Sequence, residues 1–480
     1  MQKIQNYING QLVSSASGEY LENVEPATGK IYSLIPESNS DDLDAAVAAA
    51  EAIQNDWAHT SLEKRADILC RLADLIDSNA DALAKAEAID NGKAISFAKA
   101  VDIYRSSANI RFFAQAGTQF SSESHAMGNL AINYTLRDPI GIVGCISPWN
   151  FPLYLFTWKI APALASGNVV IAKPSEVTPM TAYLFSKLCI EAGLPAGVLN
   201  ILHGSGQSIG GPLTTHPKIK AISFTGGSAT GAHISKVTAG MFKKLSLELG
   251  GKNPTLVFAD CDFEETVNEV VKAAFSNQGQ ICLCGSRIYI ERPIYEQFKT
   301  AFIAKVKSLR IGDPLDPNTQ HGATVSEAHL NKVLSYIELA QQEGGTILTG
   351  GKRHIESGRC QNGYFVEPTV VEGLDNQCRT NQEEIFGPVC SIMPFDKEQE
   401  AIQLANGTEY GLAASIWTND LKRAHRVAKS IEAGIVWINC WLLRDLRTPF
   451  GGVKSSGVGR EGGLEAMRFF TEPKNVCIKY

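Results

Sequence analysis

The chain has 480 residues, 44% of them hydrophobic and 20% charged, with a net charge of −6. That length exceeds what one hydrophobic core supports and points to two or three domains of ordinary globular composition. The mild acidity offers no general attraction for nucleic acid or an anionic membrane, and 11 scattered cysteines are too sparse for a disulfide framework.

Residues 1–7 hold no apolar stretch of the secretory kind, so a cytoplasmic location with reduced thiols is expected. No run of about 18 apolar residues occurs, so no membrane span is expected. Residues 41–58 are rich in Ala with a helical apolar period. Ala66, Ile68, Leu69, Leu72, Leu75 and Ile76 carry the same period through 62–88. The first hundred residues are therefore expected to be mostly helical. A polar stretch follows and ends in Leu130-Ala131-Ile132-Asn133-Tyr134, which reads as an excursion with one strand.

From Gly141 the pattern changes to strands alternating with helices. Strands are predicted at 142–147, 168–172, 198–202, 221–224 and 244–247, with helices at 178–192, 208–214 and 229–238. A second series has strands at 255–258, 287–291, 346–349 and 415–417, with helices at 263–276, 293–306, 327–342 and 421–429. Such alternation argues for two parallel sheets with helices on their faces, meeting near Gly250-Gly251. The last residues, 475–480, alternate as an edge strand that would need a partner.

Two loops are candidates for phosphate. Gly204-Ser205-Gly206-Gln207-Ser208-Ile209-Gly210 is GxGxxxG, not the GxGxxG fingerprint, and such a loop by itself is more often a plain strand-to-helix turn. Phe224-Thr225-Gly226-Gly227-Ser228 leads into a helix whose first N–H groups are free to bind an anion. Cys282 and Cys284 form a CxC pair, but no second pair sits at zinc spacing, so no metal site is expected. Cys284 is read as a packing residue or a redox partner.

Three motifs carry chemistry: Ser147-Pro148-Trp149-Asn150-Phe151-Pro152, Leu247-Glu248-Leu249-Gly250-Gly251-Lys252-Asn253 and Asn277-Gln278-Gly279-Gln280-Ile281-Cys282-Leu283-Cys284. A thiol to attack, an amide to hold an oxyanion and a carboxylate to activate water are the parts of covalent catalysis on a carbonyl. With Phe224-Thr225-Gly226-Gly227, Glu383-Glu384-Ile385-Phe386-Gly387-Pro388 and Pro449-Phe450-Gly451-Gly452 around them, they resemble the NAD(P)-dependent aldehyde dehydrogenase superfamily. The resemblance covers essentially the whole chain.

That resemblance implies the α/β aldehyde dehydrogenase fold: a variant Rossmann NAD domain (1–116 and 138–250) and an α/β catalytic domain (251–436). It also implies a small β bridging arm for oligomerisation (117–137 and 462–480) and a substrate-tunnel loop (437–461) returning to the NAD domain. Cys282 would be the nucleophile, Asn150 and the Cys282 N–H the oxyanion donors, and Glu248 the base that releases a free acid. Lys173 and Glu176 would meet the adenosine ribose hydroxyls, beside Ser175 and Gly206. A carboxylate at Glu176 repels a 2′-phosphate and so favours NAD. Glu384 and Phe386 would hold the nicotinamide ribose and ring, with Ile146, Trp149, Phe224, Gly226, Gly227 and Leu249 completing the cofactor set. The assembly would be a homodimer or homotetramer, with no nucleic-acid or membrane partner.

Arg444 and Arg447 stand in an otherwise apolar loop. Read as residues, they are either a carboxylate clamp or a surface Arg444–Asp445–Arg447 charge cluster. The pattern Asn439-x-Trp441-x-x-Arg444-Asp445-Leu446-Arg447-Thr448, together with Ile281-Cys282-Leu283-Cys284, resembles the muconic semialdehyde dehydrogenase branch. This implies a small carboxylated semialdehyde held by Arg105 and Arg444, with Arg447 in reserve and Phe450 alongside. The resemblance leans to 2-aminomuconate 6-semialdehyde. The 2-hydroxy analogue, or a broad aliphatic or betaine aldehyde range, stands as the alternative.

Overall fold

The structure, a computed structural model, describes residues 1–480. Five strands form the centre of the first sheet: Lys244–Glu248, Ala221–Thr225, Ile142–Ile146, Val169–Lys173 and Leu199–Ile201, in that spatial order and all parallel. Nearly all their residues are buried, as expected for strands covered by helices on both faces. The chain starts at Ile142–Ile146, steps outward to one side, then returns to Ala221–Thr225 on the other. The crevice at the carboxyl ends of these two strands is the switch point where ligands bind in such sheets.

Antiparallel strands extend both edges. Gly457–Val458 joins Lys244–Glu248, and the hairpin Asn6–Ile8 and Gln11–Val13 joins Leu199–Ile201. The first hundred residues are thus less helical than their composition implies. Short strands occupy Gln2–Lys3, Asn6–Ile8, Gln11–Val13, Tyr20–Glu25 and Lys30–Pro36 before the first helix, Ser40–His59. The two- and three-residue pieces have no readable period, and Gln2–Lys3 and Asn6–Ile8 owe their conformation in part to sheet partners distant in sequence. The predicted helix over 62–88 divides into Leu62–Ser78 and Ala80–Asn91. Asn79 bonds back to the Leu75 carbonyl through its side chain (2.8 Å), which competes with the helical ladder.

The second sheet runs Thr346–Thr349, Thr369–Glu372, Val389–Phe395, Gly285–Glu291, Asn253–Val257, Ala413–Trp417 and Ile435–Ile438. Only Thr346–Thr349 is antiparallel. Its four predicted strands are present, and Thr369–Glu372, Val389–Phe395 and Ile435–Ile438 add to them. Helices Met180–Glu191, Ser228–Thr238, Phe263–Phe275, Tyr295–Lys307, Glu327–Gln342 and Leu421–Ser430 match their predictions closely. The helix predicted at 208–214 is present as a π-helical turn, Gly206–Gly210, continued by the short α-helix Gly211–Thr215.

A third sheet projects from the body: Ser124–Met127, Ala131–Pro139 and Thr471–Lys479, antiparallel. The excursion therefore holds two strands, not one, because the chain turns between Met127 and Ala131. Thr471–Lys479 pairs on one side only, and most of its side chains are exposed.

The largest core surrounds helix Pro152–Ala165, in which every residue is buried. Pro152 opens it, where a missing N–H costs nothing. This rigid helix begins two residues after Asn150 and anchors that position.

Candidate functional site

Two cavities meet at Cys282. One, of about 500 Å³, is mostly apolar and holds Cys282, Glu248, Tyr154, Trp441, Arg105, Arg444 and Phe450 on its walls. The other, of about 250 Å³, lies at the switch point and is lined by Trp149, Asn150, Gly226, Gly227, Leu249, Glu384 and Phe386 among others. Cys282 and Thr225 border both.

The loop that carries Cys282 is bent by three consecutive left-handed residues, Asn277 (φ 51°), Gln278 (φ 56°) and Gly279 (φ 68°). Non-glycine residues there are strained, and strain of this kind gathers at functional sites. Surrounding hydrogen bonds hold the bend. Asn277 Nδ2 donates to the Asn150 carbonyl (3.0 Å), and Asn150 Nδ2 donates to the Gln280 carbonyl (3.0 Å). Beyond the nucleophile, Asn253 Nδ2 donates to the carbonyls of Cys282 (2.7 Å) and Cys284 (2.9 Å). Gly251 is required here, since a Cβ would come within 2.7 Å of the Cys282 carbonyl. Cys284 is buried among the core residues behind the loop.

Burial raises the Cys282 thiol well above its ordinary range, with Glu384 and Glu248 adding to the effect. Glu248 is buried, and its Oε1 has no hydrogen-bond partner. Burial raises its carboxyl well above the usual range, and the neighbouring Glu461 raises it further, against Lys159, Arg444 and Arg460. Glu461 itself is held by Lys159 Nζ (2.8 Å) and Ser223 Oγ (3.1 Å).

Trp149, His329 and Phe386 form an edge-to-face cluster at the second cavity, with Trp149 ring centroids 5.1 Å from each of the other two. His329 Nε2 lies 2.8 Å from the Phe386 carbonyl, which fixes Phe386 in its left-handed conformation (φ 61°). Burial lowers the His329 pKa to about 4, so the ring is neutral. Glu384 accepts from the Gly251 N–H (2.8 Å). At the neighbouring strand end, Lys173 Nζ bonds Glu176 (2.9 Å), and Glu176 also accepts from the Gly206 N–H (3.3 Å). Ser175 accepts from the Val177 N–H (3.2 Å). Ile146 and Phe224 are buried in their strands and line neither cavity. The Phe224 ring lies where a Cβ on residue 226 would collide with it, so Gly226 is needed for this close approach.

Of the arginines, Arg444 lies in the wall of the larger cavity. Its guanidinium sits 3.9 Å from the Phe450 ring centroid and 4.9 Å from that of Trp158, and Nη1 donates to Tyr154 Oη (2.7 Å). Arg105 faces the same cavity from helix Tyr104–Thr118. Arg447 does not join them: its side chain is 79% exposed and bound to Asp445 at 2.6 Å. The predicted charge cluster is thus an Asp445–Arg447 pair, with Arg444 turned away into the cavity.

Sequence reasoning missed Lys93, Tyr154, Asn253, Asn277, Lys159 and Glu461. Asn253 and Asn277 lay within the quoted motifs. Lys93, Lys159 and Glu461 sit in runs whose only signal is that a buried charge needs a partner, and Tyr154 lies in an apolar helical run with no signal of its own. No cluster of residues could hold a metal ion, and no helix is long and apolar enough to cross a membrane.

The aldehyde dehydrogenase family model matches residues 12–476. A 2-aminomuconic semialdehyde dehydrogenase of Mus musculus is 47% identical, over 99% of this chain and 98% of the relative. A 2-hydroxymuconic semialdehyde dehydrogenase of Pseudomonas sp. (strain CF600) is also 47% identical, over 100% of both. Among solved structures, an aldehyde dehydrogenase of Bacillus cereus in complex with NAD+ superposes with a TM-score of 0.97 at 39% identity, covering 100% of this chain and 97% of the other.

Proposed function

The chain belongs to the aldehyde dehydrogenase family and oxidises an aldehyde with NAD, and from that premise we propose that it converts 2-aminomuconate 6-semialdehyde to 2-aminomuconate. One observation carries the choice of substrate. Arg444 and Arg105 face an apolar cavity with Cys282 in its wall, and Arg444 is bonded there to a tyrosine hydroxyl rather than to a carboxylate. A guanidinium stacked on aromatic rings keeps its fork free for a planar anion. A substrate with an aldehyde at one end and a carboxylate at the other suits that arrangement.

Cys282 attacks the aldehyde carbon. The Asn150 amide and the Cys282 N–H donate to the oxygen that becomes negative in the thiohemiacetal. NAD would supply the hydride acceptor for oxidation of the thiohemiacetal to the thioester, and Cys282 borders the cavity that would hold it. Three features support its seat in the second cavity. Thr225 Oγ1 is buried at the wall without a partner. Space is open above Gly227, and helix Ser228–Thr238 starts there without a side-chain cap. Trp149, Leu249, Glu384 and Phe386 would line that seat, with Lys173 and Glu176 at the ribose hydroxyls. Glu248 then takes a proton from water, and the hydroxide releases the acid from Cys282. A carboxyl raised by burial is suited to this, being a base poised nearer neutrality.

We divide the chain into an NAD domain, a catalytic domain and an arm as the motifs suggest. The unpaired edge of Thr471–Lys479 supports a homodimer or homotetramer. The scattered free cysteines suit a reducing cytoplasm. A second reading, 2-hydroxymuconate semialdehyde as substrate, is favoured by the 47% identity to the Pseudomonas enzyme.

The test is NADH formation with each freshly generated semialdehyde, with the acid product identified by mass spectrometry. Turnover of the amino substrate to the dicarboxylate supports the proposal. Turnover of the hydroxy substrate alone selects the second reading, and no turnover of either overturns both.

A further inference from the structure

Behind Asn150 lies a buried charge cluster that the mechanism above does not use. Lys93 has a side-chain exposure of 0%, and so have the two carboxylates beside it, Glu87 and Asp102. The ammonium donates to Asp102 Oδ2 (2.7 Å) and to the main-chain carbonyl of Asn150 (2.7 Å), and it lies over the Phe151 ring at 4.6 Å. Glu87 Oε1 is 3.9 Å away. Burying a lysine is costly unless it is well paired. Both Glu87 oxygens and Asp102 Oδ1 lack any other donor. A proton on Glu87 shared with Asp102 would partner two of these three oxygens and leave one cation and one anion. Burial, with Asp102 as the next cause, raises the Glu87 carboxyl in the direction that favours this proton.

The elements involved are telling. Asp102 belongs to a π-helical segment, Ala98–Ile103, directly ahead of the helix that carries Arg105. Such segments cluster at functional sites. The Asn150 carbonyl receives a second donor from Asn277, and the Asn150 amide reaches the Gln280 carbonyl, two residues before Cys282. Lys93 therefore grips one side of a ring of hydrogen bonds whose other side is the nucleophile loop.

We infer that Lys93 is a positioning residue for the oxyanion site: its buried ammonium holds the Asn150 main chain so that the side-chain amide is presented to the thiohemiacetal oxygen. This rests on the reading of Asn150 as an oxyanion donor. Lys93 lines neither cavity, and its direct link to the oxyanion site is the Asn150 carbonyl.

The experiment is a double-mutant cycle with Lys93→Met and Asn150→Ala, with rates normalised to titrated Cys282. Removing an oxyanion donor costs about 10²- to 10³-fold in kcat. Lys93→Met should lower kcat by about 10²-fold, with NAD affinity unchanged within about twofold. In the Asn150→Ala background it should cost less than about threefold more, because residues acting as one unit are not additive. Losses that multiply would overturn the inference while leaving Asn150 in its role. A normal kcat in Lys93→Met would overturn it too. A normal kcat in Asn150→Ala would instead overturn the oxyanion reading. If Lys93→Met fails to fold, Asp102→Asn removes the anion that aims the ammonium, and the same cycle decides on the same criterion.

Discussion

The two cavities at Cys282 are built by different means. The smaller one combines backbone and small residues at strand ends, Pro148, Gly226, Gly227 and Gly250, with an aromatic cluster and side chains pinned by main-chain hydrogen bonds, Glu384 and His329. The larger one is made mostly of side chains from elements distant in sequence, among them the helices that carry Arg105 and Tyr154 and the loop that carries Trp441, Arg444 and Phe450. Backbone at strand ends is set by the fold, so the smaller cavity suits a cofactor shared by a whole family. Side-chain recognition changes with single substitutions, so the larger cavity is the place to test substrate identity. Cys282 belongs to both, and its loop carries more fixed geometry than either wall.

Substitution at the shared residue should have the largest effect. Cys282→Ser should lower kcat by at least about 10⁴-fold while NAD still binds, measured by fluorescence titration. Retained turnover would remove Cys282 from the chemistry. Next is Glu248→Gln, which should slow thioester hydrolysis by about 10²- to 10⁴-fold and leave a burst of NADH equal to the enzyme concentration. The same residue sets a pH dependence. Its carboxyl is raised in the folded enzyme and acts when deprotonated, so kcat should rise through the acid-to-neutral range and fall away below it. A flat profile in the wild type, or one unchanged in Glu248→Gln, would assign the base elsewhere.

The cavity comparison is sharpened by the arginines. Arg444→Ala should raise KM for a carboxylated semialdehyde by about 100-fold, the size of a lost charge-assisted hydrogen bond, while hexanal kinetics change little. An equal loss on both would make the Arg444 loop a structural wall. Arg447→Ala should change kcat/KM by less than about twofold on either substrate, because its exposed pair with Asp445 is solvated and remote from the cavity.

Cys282, Glu248 and Asn150 were legible because each sits in a short motif whose residue types imply a chemical role. The central parallel strands were legible because they are continuous apolar runs between turns. The hairpin Asn6–Ile8 and Gln11–Val13 was not, since its conformation comes from pairing with Leu199–Ile201, about 190 positions away. Val389–Phe395 and Thr369–Glu372 are apolar runs too short to distinguish from helix by period alone. Arg444 and Arg447 look alike in sequence, and only side-chain direction separates a cavity cation from a surface pair. Lys93, in Asn91-Gly92-Lys93, reads as an exposed turn residue until its three buried neighbours are seen together.

The most direct test of the account is the ratio of kcat/KM for 2-aminomuconate 6-semialdehyde over that for hexanal in the wild-type enzyme. The two have the same chain length, and hexanal lacks the distal carboxylate. The account predicts a ratio of about 100 or more, corresponding to roughly 2–3 kcal/mol for a charge-assisted hydrogen bond. A ratio near one would contradict it, leaving the arginines without a part in selecting the substrate.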